Sequence, residues 1–282
     1  MLGIIGGSGL YNLEGLQINS ERTLITPFGA PSGAISCGEY KGQQILFLPR
    51  HGPGHELLPH EINYRANIYA LKALGARRII SFSAAGSLRQ QIKPGDLALV
   101  EQYFDHTRGH RTQSFFGQGV AAHVSTAKPV CGALNSDIQR AAAAVGEPIH
   151  IHNSYACVEG PRLGTRAESF FLRDAAKCDL VGMTNLPEAF LAREAQIAYS
   201  SVCLITDYDC WMDDPSQHVS VDKFFEVYSG TLARAIRVLK PLMANPLTET
   251  PSPIRQALKS VLLTPREQLS AAQQQWLEVL ER

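Results

Sequence analysis

The chain has 282 residues, enough to bury a full core as one large α/β domain or one domain with an appendage. Its 45% hydrophobic and 18% charged content is that of an ordinary soluble globular protein. With 26 Lys+Arg against 26 Asp+Glu, net charge gives no electrostatic reason to expect nucleic acid or an anionic membrane as partner, although a locally basic cleft for phosphate remains open.

The six cysteines (37, 131, 157, 178, 203, 210) form no CxxC pair and no zinc-like cluster, and several sit in apolar runs, which suits a reducing, cytoplasmic setting. The first residues have no basic segment and too short an apolar run for a signal peptide. Nowhere is there an uninterrupted apolar run long enough to span a bilayer.

In chain order, Leu2 to Ile5 reads as a short apolar strand followed at once by Gly6-Gly-Ser-Gly9. Such a turn can bring backbone N–H groups and the Ser8 hydroxyl to a phosphate, or be a tight turn with no ligand. A dinucleotide fingerprint fails here, because Asn12 stands where a third glycine belongs. Ile45 to Leu48 is the next strand, ending in Pro49-Arg50-His51-Gly52, where Arg50 offers a planar fork and His51 a neighbouring donor. His51, His55 and His60 suggest a metal, but Gly52, Pro53, Gly54 and Pro59 break the helix that paired ligands would need, so none is expected.

Asn63 to Leu74 is an amphipathic helix ended by Gly75, and the strand from Arg78 enters the small-residue turn at Ser83-Ala84-Ala85-Gly86. Ser83 and the Ala84 and Ala85 amides can form a second anion nest, though a plain turn would use the same residues. Leu97 to Val100 is a further strand, and Tyr103 to Pro129 is polar, irregular and long enough to suggest a lid or subunit contact. Asn135 to Val145 is an Ala-rich helix, and His150 to Val158 a strand running into Glu159-Gly-Pro-Arg162. Ala167 to Ala176 reads as a helix and Asp179 to Met183 as a strand. Thr184 then lies just ahead of a helix from Glu188 to Gln196, a place suited to an anion.

Ser201 to Ile205 reads as a buried strand that stops at two carboxylates, Asp207 and Asp209. Desolvating unpaired carboxylates is costly, and strand carboxyl ends are where open α/β sheets bind ligands. An acidic surface turn would also fit. Val219 to Leu239 is a helix, 248–253 a linker, and two helices follow, 253–262 and 265–280, the second started by a Thr264-Pro-Arg-Glu267 capping box.

Five strand ends thus carry groups for a small polar ligand: Ser8, Arg50/His51, Ser83, Thr184 and Asp207/Asp209. Four sets suit an anion and the acidic set would repel one. The ligand therefore has a phosphate at one end and a hydrogen-bonding group at the other, and phosphate itself can be the nucleophile.

Gly6-Gly-Ser-Gly9, Thr26-Pro-Phe-Gly29, Arg50-His51-Gly52, Asn63-Tyr-Arg-Ala-Asn67, Ala84-Ala-Gly-Ser-Leu88, Glu159-Gly-Pro-Arg162, Met183-Thr184, Pro187-Glu188 and Thr206-Asp-Tyr-Asp-Cys-Trp211 occur in this order. By these motifs, residues 1 to about 240 resemble the trimeric purine nucleoside phosphorylase superfamily. The resemblance implies an α/β fold, one domain over 1–245 with a mixed central sheet flanked by helices, and a C-terminal helical extension over 246–282. It implies a homotrimer that cleaves 5′-methylthioadenosine with phosphate as co-substrate and no other cofactor. Ser8, Arg50, His51, Ser83, Ala84 and Thr184 would hold phosphate, and Met183 would pack on the ribose. Val221 would receive the methylthio group, with His123 entering from a neighbouring subunit. Asp207 and Asp209 would act on the base, Asp207 as a protonated donor to N7 with its affinity for the proton raised by burial and by Asp209.

Relatives acting on 6-oxopurines carry Glu at the position of Gly164 and Asn at that of Asp207, so this chain's residues favour a 6-aminopurine. Leu163 stands where Phe is usual, and Asn185 is a further departure. A methylthioinosine or general purine nucleoside phosphorylase, a nucleoside hydrolase, and a non-catalytic nucleoside-binding module are the competing readings. Asp207 with Gly164 argues against the first and the phosphate clamp against the second. The third is separated by ligand-induced stabilisation without turnover.

Overall fold

The computed structural model describes residues 1–7, 9, 15–214 and 221–282, with the backbone alone for 221–224. Nine strands of this region make one mixed sheet: β1 (Leu2–Gly6), β2 (Gln17–Arg22), β3 (Ile35–Tyr40), β4 (Gln43–Pro49), β5 (Arg78–Ser87), β6 (Leu97–His106), β7 (Ile149–Val158), β8 (Leu180–Gly182) and β9 (Ala198–Asp207). They lie in the order β2-β3-β4-β1-β5-β8-β7-β6-β9, and β9 pairs back onto β5. Five strands, β5-β8-β7-β6-β9, therefore close on themselves, and β2-β3-β4-β1 continue from β5 as a wing.

The strands at the centre are continuously apolar because both faces of the sheet are covered. Side chains alternate across a strand. Along β4, Leu46 and Leu48 accordingly join one core cluster with Tyr69, Leu191 and Trp276, while Ile45 and Phe47 join another with Leu134 and Leu239. The first cluster is roofed by α1 (Tyr64–Ala73), α4 (Glu188–Glu194) and α7 (Ala271–Glu281), the second by α2 (Gly132–Ala144) and α5 (Val221–Ala244). Two shorter helices, α3 (Arg166–Phe170) and α6 (Ser252–Arg255), sit between these elements in the chain. The expected mixed sheet with flanking helices is what the chain forms.

Several boundaries differ from expectation. β6 runs on to His106, so the segment read as irregular begins as a strand; its second half is polar because much of it faces solvent. The helix expected over 167–176 is α3 followed by a π-type turn, Phe171–Ala175. α5 continues through Pro241 to Ala244, past the expected stop at Leu239. In the tail, 253–262 is helical only in α6. The capping box that starts the last helix is Ser270 with Gln273, preceded by a separate 3-10 turn at Arg266–Gln268. Thr264 does not cap. Its hydroxyl instead accepts from the Ala121 amide at 2.8 Å and donates to the Gly119 carbonyl at 3.2 Å.

The tail packs on the body of the molecule. Trp276, Leu277 and Leu280 belong to the α1–α4 core cluster, and the Trp276 ring meets that of Phe28 edge-on at 5.6 Å.

Candidate active site

Chain direction assembles the site. β1, β4, β5 and β9 run parallel, so Gly6, Arg50, Ser83–Gly86 and Asp207 emerge at one edge. β8 pairs antiparallel to β5, Val181 opposite Gly86 and Leu180 opposite Ser87. The chain leaving β8 consequently travels back along β5 towards Ser83, bringing Met183, Thr184 and Asn185 to it.

Arg50 is 2% exposed, and its guanidinium is the hub of this region. Nε and Nη2 donate to the two carboxylate oxygens of Glu188 at 2.8 and 3.0 Å. Nη2 also donates to Ser81 Oγ (2.5 Å) and Nη1 to the Phe82 carbonyl (2.9 Å). Four of the five guanidinium N–H donors are thereby engaged, leaving one on Nη1. The expected open fork is thus corrected: Arg50 fixes β5 to Glu188 at the start of α4 and presents one donor. Glu188 is itself fully buried and accepts from the Tyr199 hydroxyl at 2.9 Å. A bidentate pair of this kind holds two elements in a single orientation.

His51 is corrected in the same sense. Its Nδ1 lies 2.8 Å from the Leu57 carbonyl, which fixes the hydrogen there, and burial and Arg50 lower its pKa to about 4. The neutral ring therefore offers at Nε2 an acceptor rather than a donor. It stacks on His55 with ring centres 4.3 Å apart.

Ser83 donates to Asn185 Oδ1 at 3.0 Å, and Asn185 Nδ2 donates to Ser201 Oγ at 2.8 Å. Asn185, fully buried, thus ties β5 to β9 below the turn. Thr184 beside it is 7% exposed, and Ala84 is half-buried. Arg50, His51, Ser83, Ala84 and Thr184 are therefore gathered by one hydrogen-bonded scaffold. Ser8 lies outside the described residues. Its neighbours are closely packed: a Cβ on Gly9 would stand 2.5 Å from Leu232 Cδ2 of α5, and one on Gly7 3.3 Å from the Tyr228 hydroxyl.

The acidic pair sits at the other end of the same rim. The β5–β9 ladder slips by one residue between Ala85 and Gly86, setting Gly86 opposite Asp207. Asp207 accepts from the Thr206 hydroxyl and from the Asp209 amide, both at 2.7 Å. Burial nevertheless pushes its carboxyl above the ordinary range. Asp209 is 8% exposed and held at φ 53°, in the left-handed region. Its carboxyl is raised by burial first and then by the charge of Asp207. The like-charge repulsion belongs to the pair, and burial is the larger cause for both carboxyls.

A Cβ on Gly164 would lie 4.0 Å from Asp209 Oδ1 and 3.9 Å from Glu168 Oε2, so this glycine faces Asp209. Leu163 next to it is 54% exposed, on the rim. Met183 Sδ stands 2.5 Å from where a Cβ of Gly160 would be, which explains a glycine there, also at positive φ. His123 is apart from this cluster in a single chain: it is exposed, and its amide donates to the Val261 carbonyl at 3.4 Å. The Val221 side chain lies outside the described residues.

Arg111, 5% exposed, had no role in the sequence reading. Nη1 donates to the carbonyls of Met183 and Leu186, both at 2.6 Å, and Nε to Glu159 Oε1 at 2.9 Å. It joins the 183–187 turn to the strand end at Glu159, the two loops that flank the rim. An arginine inside a polar stretch looks exposed, so no pattern in sequence marks it.

A scaffold that offers anion-binding groups at one end of a strand edge and buried, raised carboxyls at the other suits a ligand with a phosphate and a heterocyclic base. Over residues 1–240 the chain matches the phosphorylase superfamily, and it belongs to that family. Among its relatives is the S-methyl-5′-thioadenosine phosphorylase of Geobacter sulfurreducens, 43% identical over 280 residues, covering 99% of this chain and 97% of the relative. That of Hyperthermus butylicus is 45% identical over 242 residues, covering 86% and 87%. A methylthioadenosine phosphorylase from an antarctic soil metagenomic library superposes with a TM-score of 0.91 at 42% identity, over 99% of this chain and 98% of the other. A variant adenosine/methylthioadenosine phosphorylase from Schistosoma mansoni, in complex with adenine, gives 0.86 at 33% identity over 93% and 98%.

Proposed function

We propose that this chain catalyses phosphorolysis of 5′-methylthioadenosine to adenine and 5-methylthioribose 1-phosphate. The observation that carries the reading is Asp207, a carboxyl raised by burial at the strand edge that also holds Arg50, Ser83 and Thr184. Relatives and neighbours named as phosphorylases of this nucleoside, over nearly the whole chain, support it.

A phosphate oxygen forms the bond to the sugar anomeric carbon as the bond from that carbon to the purine N9 breaks. The electron pair goes to the purine, and protonated Asp207 gives its proton to N7. Solvent then returns a proton to the carboxylate. Positive charge building on the sugar is stabilised by phosphate, and negative charge on the base by Asp207. Phosphate is held by the remaining Arg50 N–H, the Thr184 hydroxyl, the Ala84 amide and Ser8, and by the Ser83 hydroxyl once its hydrogen turns from Asn185 to the phosphate. His51 Nε2 accepts from a protonated phosphate oxygen.

Met183 lies against the ribose, Leu163 and Gly164 border the base with Asp209, and Val221 meets the 5′ group. His123 reaches a neighbouring subunit of a homotrimer. Phosphate is the co-substrate and no cofactor takes part. Residues 1–245 carry the chemistry and 246–282 buttress them. The role proposed for this chemistry is nucleoside salvage in the cytoplasm, the setting that the cysteine usage suits.

Adenine release from methylthioadenosine by the pure protein, with and without phosphate and beside methylthioinosine and adenosine, tests the reading. Release that depends on phosphate and is fastest for methylthioadenosine is expected. Release without phosphate would make the chain a hydrolase, and binding without release a nucleoside-binding module.

A further inference from the structure

At the amino-terminal end of β5, away from Ser83 and Asp207, Arg77, Arg78, Arg255 and Arg282 border one cavity of about 410 Å³. Five residues of extended strand separate Arg78 from Ser83, roughly 16 Å. Four guanidiniums line it with one side-chain carboxylate, Glu249, among the described residues, and Arg77 Nη1 donates to the Arg282 carbonyl.

Internal contacts do not exhaust these cations. Arg78 uses Nε and Nη2 on the Leu247 and Thr248 carbonyls, and Arg255 uses Nε on the Thr250 carbonyl and Nη2 on Glu249. The Nη1 groups of both remain open among the described residues, and the Arg282 guanidinium has no hydrogen-bond or ion-pair partner there. Arg77 also bears on Lys72, which is 3% exposed with its amine unpartnered.

Guanidinium forks are donors matched to phosphate oxygens. The described lining holds no aromatic ring on which a base could stack. Four forks and this volume exceed what one phosphate would occupy.

We propose that this cavity is a second, non-catalytic site for a compact polyanion carrying at least two phosphate groups. Arg78 begins β5 with Arg77 just before it, and Glu249, Thr250, Arg255 and Arg282 belong to the tail. A bound polyanion would therefore clamp the tail onto the sheet and stabilise the fold.

Inorganic pyrophosphate is the probe, titrated calorimetrically into the full chain at low salt, with inorganic phosphate as comparator. Micromolar binding that weakens as salt rises, and a raised melting temperature, are expected. Arg255→Gln with Arg282→Gln should weaken it at least about tenfold while leaving the phosphate KM of phosphorolysis unchanged. Arg282→Gln alone, at a guanidinium without a partner among the described residues, should weaken it several-fold without lowering the melting temperature of the free protein, and decides the matter if the double variant does not fold. Absence of binding, binding that survives these substitutions, or phosphate binding here as tightly as pyrophosphate would overturn the proposal.

Discussion

Gly86 and Asp207 face each other across the β5–β9 ladder so closely that a methyl group on Gly86 would stand 2.8 Å from Asp207 Oδ1. The same methyl would lie 3.3 Å from Val181 Cγ1 and 3.4 Å from Asp209 Cβ, so it has nowhere else to go. Gly86→Ala should displace the carboxyl that meets the base while sparing the phosphate end of the rim. A misplacement of about 1 Å costs on the order of 10²-fold in rate. We expect kcat with methylthioadenosine to drop by roughly that factor with phosphate KM nearly unchanged. Steady-state kinetics in both substrates check this, and a loss confined to phosphate KM would place Gly86 elsewhere.

The Arg50–Glu188 pair is a structural joint whose side chains are 2% and 1% exposed. Lysine cannot reproduce the fork, so Arg50→Lys leaves Glu188 buried with an incomplete set of donors. With the positive charge kept, a buried acceptor left without its donor costs about 1–3 kcal/mol. Urea unfolding of the variant should show a loss of that order, beyond any effect on phosphate. A loss under about 1 kcal/mol would mean the joint is not held by this pair.

How far the sequence showed this site depends on what each residue's signal was. The apolar runs of β1, β4, β5 and β9 are legible because both faces of those strands are buried, and their polar ends mark the rim. β2, with every residue exposed, has no buried face to announce it. Arg50 and His51 were legible as residues of the rim but not in their roles, because those depend on Glu188 and the Leu57 carbonyl. Asn185 looked anomalous in sequence and proves to be the bridge between Ser83 and Ser201, a relation between strands that only folding brings together. Arg111 carried no signal at all.

Asp207 acts as an acid only while protonated, and burial raises its pKa. Turnover of methylthioadenosine should therefore fall as pH rises through that raised value. Asp207→Asn keeps an N–H for N7 at every pH, so the alkaline limb should disappear. The amide cannot release its proton to the base, and loss of such a donor typically costs ~10²–10³ in rate. Methylthioinosine should lose less, since the amide N–H can also face a 6-oxo group. Rate–pH profiles of both proteins on both substrates test this; an unchanged substrate ratio would detach Asp207 from the base.

Glu194 on α4 accepts from the Ser114 hydroxyl and the Phe115 amide, both at 2.7 Å, holding the loop before Gly117. Burial raises its pKa to about 7, from an ordinary 4.5. Between those values the unfolded chain releases a proton that the folded chain keeps. Stability therefore declines as pH rises from about 4.5 to about 7 and is level in this respect above it. The displacement corresponds to about 3 kcal/mol at most. Glu194→Gln retains an acceptor for the Phe115 amide and carries no charge, so it should match the wild type in acid and exceed it by ~1–3 kcal/mol above neutrality. Urea unfolding at about pH 5 and pH 8 measures the difference. If both proteins lose the same stability between the two, the titrating group lies elsewhere, and the loop is held by a carboxylate that stays charged throughout.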